Sequence, residues 1–191
     1  MAHDESTLVE EFRDAFLATD PGGYWRKTHG DPYSAGRPDV LAALPDRAAA
    51  IEFKWSRDAA NETKPLAVVA REIVTPLQAR ELDAIAALHG PLVPRLVIGL
   101  AVEVPGESLV LAIGADWDYL TRGLPDVWSL LKLATLLAQI REKPSRGAAI
   151  WPLFPTQIQA QLRGRGEKWR AAPIALGVTS WKWSYNPVPR E

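Results

Sequence analysis

The sequence predicts an α/β fold, because segments with helical and with strand-like spacing of apolar residues alternate along the chain. Residues 5–18 carry an apolar stripe at helical spacing. Residues 39–55 contain two apolar segments joined by a short turn that includes Pro and Asp, which is typical of a hairpin. A second helical pattern begins at Thr75-Pro76 and precedes a nearly continuous apolar segment over 95–104, as in a buried strand.

Turn-forming residues divide the first part of the chain into its elements. Pro21-Gly22-Gly23 ends the first helix, and residues 29–36 are rich in turn formers that predict a loop beside the sheet. The predicted elements, in order, are a helix over 5–18, a strand over 24–28, a loop over 29–36, strands over 39–44 and 48–55, and a mobile loop over 57–65.

After Lys143-Pro144 the periodicity of apolar residues becomes weak, and Pro, Trp and Arg become frequent. Thr75 is the expected N-cap of the second helix and Pro76 its first helical residue. The predicted elements are a helix over 75–88, strands over 95–104 and 108–114 joined at Pro105-Gly106, helices over 125–141 and about 156–163, and a strand over 177–185.

Composition limits the classes of site that the chain can form. At 191 residues, we expect one domain or one domain with an extension, and 47% hydrophobic residues suffice for a core. The absence of Cys excludes disulfides, thiolate metal sites and Cys nucleophiles. No apolar segment reaches the roughly 20 residues that cross a bilayer, and the N-terminus is acidic. We therefore expect an intracellular, cytoplasmic protein without a membrane partner.

The net charge of −1 restricts any nucleic-acid surface to a local patch. Two segments could supply it, Trp25-Arg26-Lys27 and residues 163–170. The eight Trp residues are predicted mainly for the core. Trp181, Trp183 and Tyr185 share one face of a predicted strand, which either covers the core or is a stacking platform for bases.

Charged residues in the predicted central hairpin form the candidate site. Asp39 opens the first strand after Pro38, and it comes close to Glu52 if the two strands pair. Glu52 and Lys54 are two residues apart and therefore leave the same face of the second strand, opposite to Phe53. Two carboxylates beside a Lys favour a hard divalent cation, Mg²⁺ or Mn²⁺.

These residues resemble the catalytic signature of the PD-(D/E)XK nuclease superfamily. The order of further motifs is similar to its VRR-NUC and phage Holliday-junction-resolvase-like branch, and the resemblance covers roughly residues 5–100. The matching motifs are Lys27-x-His29-Gly30, Gly36-x-Pro38-Asp39, Glu52-x-Lys54 and Thr75-Pro76-Leu77-Gln78.

The resemblance implies a restriction-endonuclease-like core of helix, mixed central sheet and helix in residues 1–115. Residues 116–191 then form a helical and Trp-rich α+β extension packed on that core. It also implies a metal-dependent DNA endonuclease that uses Mg²⁺, for which Mn²⁺ can substitute. In that reading Asp39 and Glu52 bind the metal, with Glu5 on the first helix and the Phe53 backbone carbonyl as further ligands, and Lys54 assists the attacking water.

The same resemblance implies contacts to DNA from Lys27, His29, Arg37 and Gln78. The expected substrate is DNA, either a selected structure (a junction, a flap or nicked DNA) or plain duplex. We expect a homodimer because resolvases cut two strands. A phage-encoded protein of this kind acts in the host cytoplasm. Residues 116–191 are an alternative site for a protein partner.

Other readings of the same residues stay open at this point. Asp39, Glu52 and Lys54 could form a surface salt-bridge ladder across the hairpin. Glu5 could be a solvated first-turn acid, and His29 and Gln78 ordinary surface residues. The alternative for the whole chain is a DNA-binding or interaction module that keeps the nuclease fold without its chemistry.

Overall fold

The computed structural model describes residues 5–19, 21–28, 36–45, 47–104, 107–124, 126–133, 135, 159–164 and 170–173. Its helices are α1 (Glu5–Thr19), α2 (Leu66–Ile73) and α3 (Pro76–Ala87), with a 3₁₀ helix at Ala59–Glu62 and a π-helical turn at Tyr119–Gly123. Its strands are β1 (Tyr24–Lys27), β2 (Val40–Leu44), β3 (Arg47–Trp55), β4 (Leu92–Val104), β5 (Glu107–Asp116), β6 (Gln159–Gly164) and β7 (Arg170–Pro173).

The seven strands form one mixed sheet in which spatial order follows sequence order. Neighbouring strands are antiparallel except β3 and β4, which are parallel and joined through α2 and α3. A parallel pair needs such a crossover, whereas antiparallel neighbours need only a turn. The predicted α/β class, the central hairpin and the hairpin between β4 and β5 are therefore confirmed.

Helix α1 covers one face of the sheet. Its apolar stripe packs on residues of β2 and β3 that point to this side, among them Ile51 and Phe53. The ring of Phe53 lies 5.5 Å from that of Phe12, edge to face, and 6.3 Å from that of Trp25. Because side chains alternate along a strand, Glu52 and Lys54 must leave the opposite face of β3.

The opposite face is covered by α2, α3 and residues 117–133. Leu96 and Ile98 of β4 belong to this second core together with Leu66 and Leu82 of the helices. Leu96 is in register with Glu52, and Ile98 with Lys54, so the charged pair lies directly beside this apolar layer. In the described part of the chain, no helix is both long and apolar enough to cross a membrane.

Two sequence predictions differ from the structure. The short helix predicted over 156–163 is wrong, because residues 159–164 form β6 and pair antiparallel with β5. The segment Gln159-Ala160-Gln161-Leu162 alternates polar and apolar residues, and pairing with β5 favours that period of two. Residues 66–73, for which the sequence pattern predicts no element, form α2, whose apolar residues recur at i, i+3 and i+4.

Other predictions fall partly or wholly outside the described residues. Within the helix predicted over 125–141, residues 130–133 are helical, and residues 136–141 lie outside the described ranges. The strand predicted over 177–185 and most of the loop predicted over 29–36 also lie outside them. Strands β6 and β7 come from the predicted C-terminal extension and continue the central sheet.

Gly36 is the position at which the loop before β2 meets α3. Its φ of 87° lies in the left-handed region, and a Cβ there would stand 2.5 Å from Leu77 Cγ. We therefore expect Gly36→Ala to lower the free energy of unfolding by about 1–2 kcal/mol in urea denaturation. Gly22→Ala is the matched control, because a Cβ at Gly22 meets nothing within 4 Å. Equal stability of both variants would contradict the expectation.

Candidate active site

Asp39 lies just before β2, is hydrogen-bonded to the chain on both sides, and is buried, at 3% exposure. Its backbone carbonyl accepts a hydrogen bond from the Thr28 amide at 2.9 Å, next to the end of β1. Its Oδ2 accepts one from the Phe53 amide of β3 at 2.7 Å. The carboxylate thus takes the place of a ladder partner just before β2 begins, which fixes its distance from β3.

Glu52 is fully buried, and its two carboxylate oxygens have different surroundings. Oε1 accepts hydrogen bonds from Lys54 Nζ and Gln78 Nε2, the first at 2.5 Å. Oε2 is buried and has no hydrogen-bond partner among the described residues. A buried carboxylate oxygen without a donor is costly, so Oε2 is the oxygen to which a cation would bind most favourably.

Lys54 links Glu52 to the N-terminus of α1. Its Nζ lies 3.8 Å from Glu5 Oε2, and the Lys54 side chain is 14% exposed whereas that of Glu5 is 42% exposed. The predicted first-helix acid therefore reaches the site through the Lys. Since one Nζ faces two carboxylates, Lys54 is held at the rim with its charge directed between them.

Burial is the main cause that raises the pKa of Glu52, to about 7, and the negative charge of Asp39 adds to it. The hydrogen bond and charge of Lys54 act in the opposite direction. For Lys54, burial by itself would lower the pKa, but its bond to Glu52 and the carboxylates around it outweigh burial, so that its pKa is raised. The raised pKa values mean that the Glu52 carboxyl ionises less readily than usual, whereas Lys54 stays charged. A bound cation would favour the ionised form of Glu52.

Gln78 reaches Glu52 from the first turn of α3. Thr75 is the N-cap, as predicted, and its Oγ1 accepts a hydrogen bond from the Gln78 amide. The Gln78 side-chain Oε1 accepts one in return from the Thr75 amide at 3.0 Å. This capping box places Nε2 toward Glu52, and thus Gln78 is not a solvated helix residue.

The carboxylates of Asp39 and Glu52 fit Mg²⁺ better than they fit a cation whose ligands must all come from the protein. In the residues that the structure describes, no three Asp, Glu or His side chains form a cluster able to hold a metal ion. Mg²⁺ commonly binds through one or two carboxylates together with water and substrate phosphate. Asp39 and Glu52 would supply that number of carboxylates, and Glu52 Oε2, which has no hydrogen-bond partner among the described residues, would be the binding atom.

The predicted backbone ligand lies on the same side of β3 as Asp39. The Phe53 amide donates to Asp39, and the amide and carbonyl of one strand residue face the same neighbouring strand. The carbonyl of Phe53 therefore faces the chain just before the start of β2, on the same side as Asp39.

The predicted DNA-contacting residues are located only in part. Lys27 is exposed at the end of β1, with its Nζ 3.9 Å from Glu10 Oε1, and Arg26 and Arg37 are exposed as well. His29 lies outside the described residues. The exposed basic side chains of β1 and of the turn before Asp39 adjoin the strands that bear the candidate site.

Thr75 is a contributor to this site that sequence reasoning assigned only to helix capping. The signal was present, because Thr-x-x-Gln before an apolar segment is the pattern of a capping box. What the pattern does not contain is that the same Gln extends beyond the helix to Glu52, 26 residues earlier in the chain.

A separate cleft of about 580 Å³ lies between the end of α3 and the sheet, and its charged lining includes Asp83, Asp118 and Arg122. Arg122 already pairs with both acids, at 3.2 and 2.7 Å. The cleft contains none of the predicted site residues.

No protein-family model matches the chain, and no curated protein sequence is significantly similar to it. Membership of the PD-(D/E)XK superfamily therefore stays a prediction from the motifs.

Proposed function

We propose that the protein is a metal-dependent DNA endonuclease that hydrolyses phosphodiester bonds, and that Asp39, Glu52 and Lys54 form its active site. The observation that carries this proposal is the asymmetry of Glu52. Both donors, Lys54 and Gln78, bind Oε1, while the buried Oε2 has no partner among the described residues and the charge of Asp39 lies nearby.

A purely structural ion pair does not account for this arrangement. Buried ion pairs stabilise a fold only when hydrogen bonds satisfy the remaining lone pairs. Here one carboxylate is buried with an unsatisfied oxygen, and a second acid, Asp39, destabilises its charge. Such a pair is instead well suited to a divalent cation, whose charge offsets both carboxylates. The near-complete burial of Asp39 and Glu52 also argues against a solvated salt-bridge ladder.

The proposed chemistry assigns a separate role to each side chain. A bound Mg²⁺ supplies Lewis acidity and lowers the pKa of water at the site. Asp39 and Glu52 would hold the cation, and the hydrogen bond from the Phe53 amide keeps the Asp39 carboxylate in place. Lys54, with Nζ at the rim, orients the attacking water and stabilises negative charge that develops on the phosphate. Exposed Lys27 and Arg37 bind the DNA backbone by charge.

The architecture supports the finer assignment to a restriction-endonuclease-like core. Helix α1, the three strands that follow it, the crossover helices and β4 give the expected succession of helix, mixed sheet and helix. The two candidate metal ligands come from adjacent strands of this unit, and Gln78 comes from its second helical layer.

The test is cleavage of labelled four-way junction, flap, nicked, linear duplex and single-stranded DNA with Mg²⁺, Mn²⁺ or EDTA. We expect metal-dependent cleavage, reduced at least about 10²-fold in Asp39→Asn. Asn keeps an acceptor for the Phe53 amide, so that the fold is retained while the charge is lost.

Asp83→Asn is the matched control. Asp83 lies on α3, where it accepts a hydrogen bond from Trp117 that Asn can also accept. This variant should cleave as the wild type does. Full metal-dependent cleavage by Asp39→Asn would overturn the proposed site, and binding of DNA without cleavage under every condition would favour the non-catalytic module.

A further inference from the structure

The first turn of α3 is joined to Glu52 by a continuous chain of hydrogen bonds. The Thr75 amide donates to Gln78 Oε1 at 3.0 Å, and the Thr75 hydroxyl lies 3.0 Å from the same oxygen. Gln78 Nε2 then donates to Glu52 Oε1. The chain ends at a carboxylate whose other oxygen, Oε2, is buried without a partner among the described residues.

We propose that Thr75 is a positioning residue for the metal site, acting through Gln78. Its two donor groups hold the Gln78 carboxamide in one orientation, which directs the NH₂ group to Glu52 Oε1 and leaves Oε2 for the divalent cation. This inference rests on the proposed function, since it assigns a role toward the metal that Glu52 would bind.

The direction of the chain follows from hydrogen-bond polarity. The oxygen and nitrogen of a carboxamide have nearly the same shape, so packing alone does not choose between the two orientations of Gln78. The Thr75 backbone amide can only donate, and therefore the group that faces it must be the oxygen. The opposite orientation would place an N–H group against a donor and would direct the Gln78 oxygen at the Glu52 carboxylate.

As a consequence, the two carboxylate oxygens of Glu52 have different roles: Oε1 accepts hydrogen bonds, and Oε2 is left for the cation. Gln78 and Lys54 both donate to Oε1, which fixes the rotation of the carboxylate about its last bond. With that rotation fixed, Oε2 is presented in one direction. Partners that orient a metal ligand in this way typically change metal affinity about 10–100-fold when they are replaced.

The experiment compares two substitutions that both cap a helix. Thr75→Ser keeps the hydroxyl donor. Thr75→Asp is an equally good N-cap, so the stability of α3 is preserved. In this variant the backbone amide still donates to Gln78 Oε1, but the hydroxyl donor is lost and the new carboxylate competes with Glu52 for the Gln78 NH₂ group. A role limited to capping predicts that neither variant binds metal more weakly than the wild type does.

Two readouts are used on the full-length protein. In the metal-free protein, ¹⁵N NMR of the Gln78 side-chain NH₂ reports its bond to Glu52, and we expect its signals to move in Thr75→Asp and to stay in Thr75→Ser. In calorimetric titration with Mg²⁺, we expect the dissociation constant to rise about tenfold in Thr75→Asp and to stay within about twofold in Thr75→Ser. The added negative charge of Asp would by itself tighten cation binding, so weaker binding cannot come from charge.

A double-mutant cycle makes the route through Gln78 testable. In a Gln78→Ala background, Thr75→Asp should not weaken Mg²⁺ binding further, because the link is already broken. Unchanged Gln78 signals or unchanged Mg²⁺ affinity in Thr75→Asp would overturn the positioning role. If the wild type itself fails to bind Mg²⁺, the proposed function and the role toward metal both fall, while the NMR comparison still shows whether Thr75 orients Gln78.

Discussion

Glu52→Gln should abolish metal-dependent cleavage, by about 10³-fold or more, and should at the same time stabilise the metal-free protein above pH 7. The loss of cleavage follows from the loss of a charged metal ligand. The gain in stability follows from burial, because the substitution removes a charge that is fully buried near Asp39. The Gln oxygen still accepts the hydrogen bonds from Lys54 and Gln78, so that packing is retained.

The pH dependence of this gain is set by the raised pKa of Glu52. A carboxyl with a pKa of about 7 in the folded state, and 4.5 when unfolded, binds more protons when folded. Its contribution to stability is therefore fully present below about pH 4.5 and is lost as the pH rises through 7. The full difference is of the order of 3 kcal/mol. We expect the variant to gain about 1–3 kcal/mol at pH 8, since Lys54 loses part of its partner, and close to nothing at pH 4.5.

Urea unfolding at several pH values between 4.5 and 8, in EDTA, measures this difference directly. Glu81→Gln, at an exposed position of α3, is the matched control and should change stability by less than about 0.5 kcal/mol throughout. A variant that is less stable than the wild type at pH 8 would mean that the Glu52–Lys54 pair stabilises the fold, and the argument for a cation at Oε2 would lose its basis.

Phe53→Ala should give the largest loss of stability, about 3–5 kcal/mol. Phe53 is fully buried, and its ring contacts Phe12 of α1 and Trp25 of β1. Its removal leaves a cavity where the helix, the edge of the sheet and β3 meet. The same residue separates Glu52 from Lys54, so that its burial determines which face of β3 the charged pair occupies.

Equilibrium unfolding in urea at pH 7 provides the measurement. Leu88→Ala is the control, because Leu88 follows α3 with 74% of its surface exposed and its truncation should cost less than about 0.5 kcal/mol. A loss below about 1 kcal/mol in Phe53→Ala would show that the core on the α1 side collapses around the missing ring.

The parts of the fold that the sequence predicts well are those with local signals. The stripe of α1, the turn before β3 and the capping residues of α3 each specify their element within a few neighbouring residues. The prediction for β6 was wrong because this segment is short and half polar. Its strand state depends on pairing with β5, about 50 residues earlier. Sequence spacing alone does not contain that partner.

The candidate site divides in the same way. That Glu52 and Lys54 share a face follows from the two-residue period of a strand, and the approach of Asp39 follows from the hairpin. The unequal hydrogen bonding of the two Glu52 oxygens does not follow from spacing, because it depends on how far the first turn of α3 lies from the sheet. The contact between Lys54 and Glu5 likewise does not follow from spacing, because it depends on how close the start of α1 lies to β3.

The parallel pairing of β3 with β4 has a consequence for the order in which the molecule folds. β1, β2 and β3 form a meander with short-range contacts, and β4 with β5 forms a hairpin, so both units can form early. The parallel pair can close only after residues 56–91 have folded back across the sheet, which is a contact of longer range than those within the meander or the hairpin. Asp39 and Glu52 belong to the early meander, whereas Gln78 belongs to the returning segment. We therefore expect the two carboxylates to come together before Gln78, which orients Glu52, reaches the site in a nascent chain.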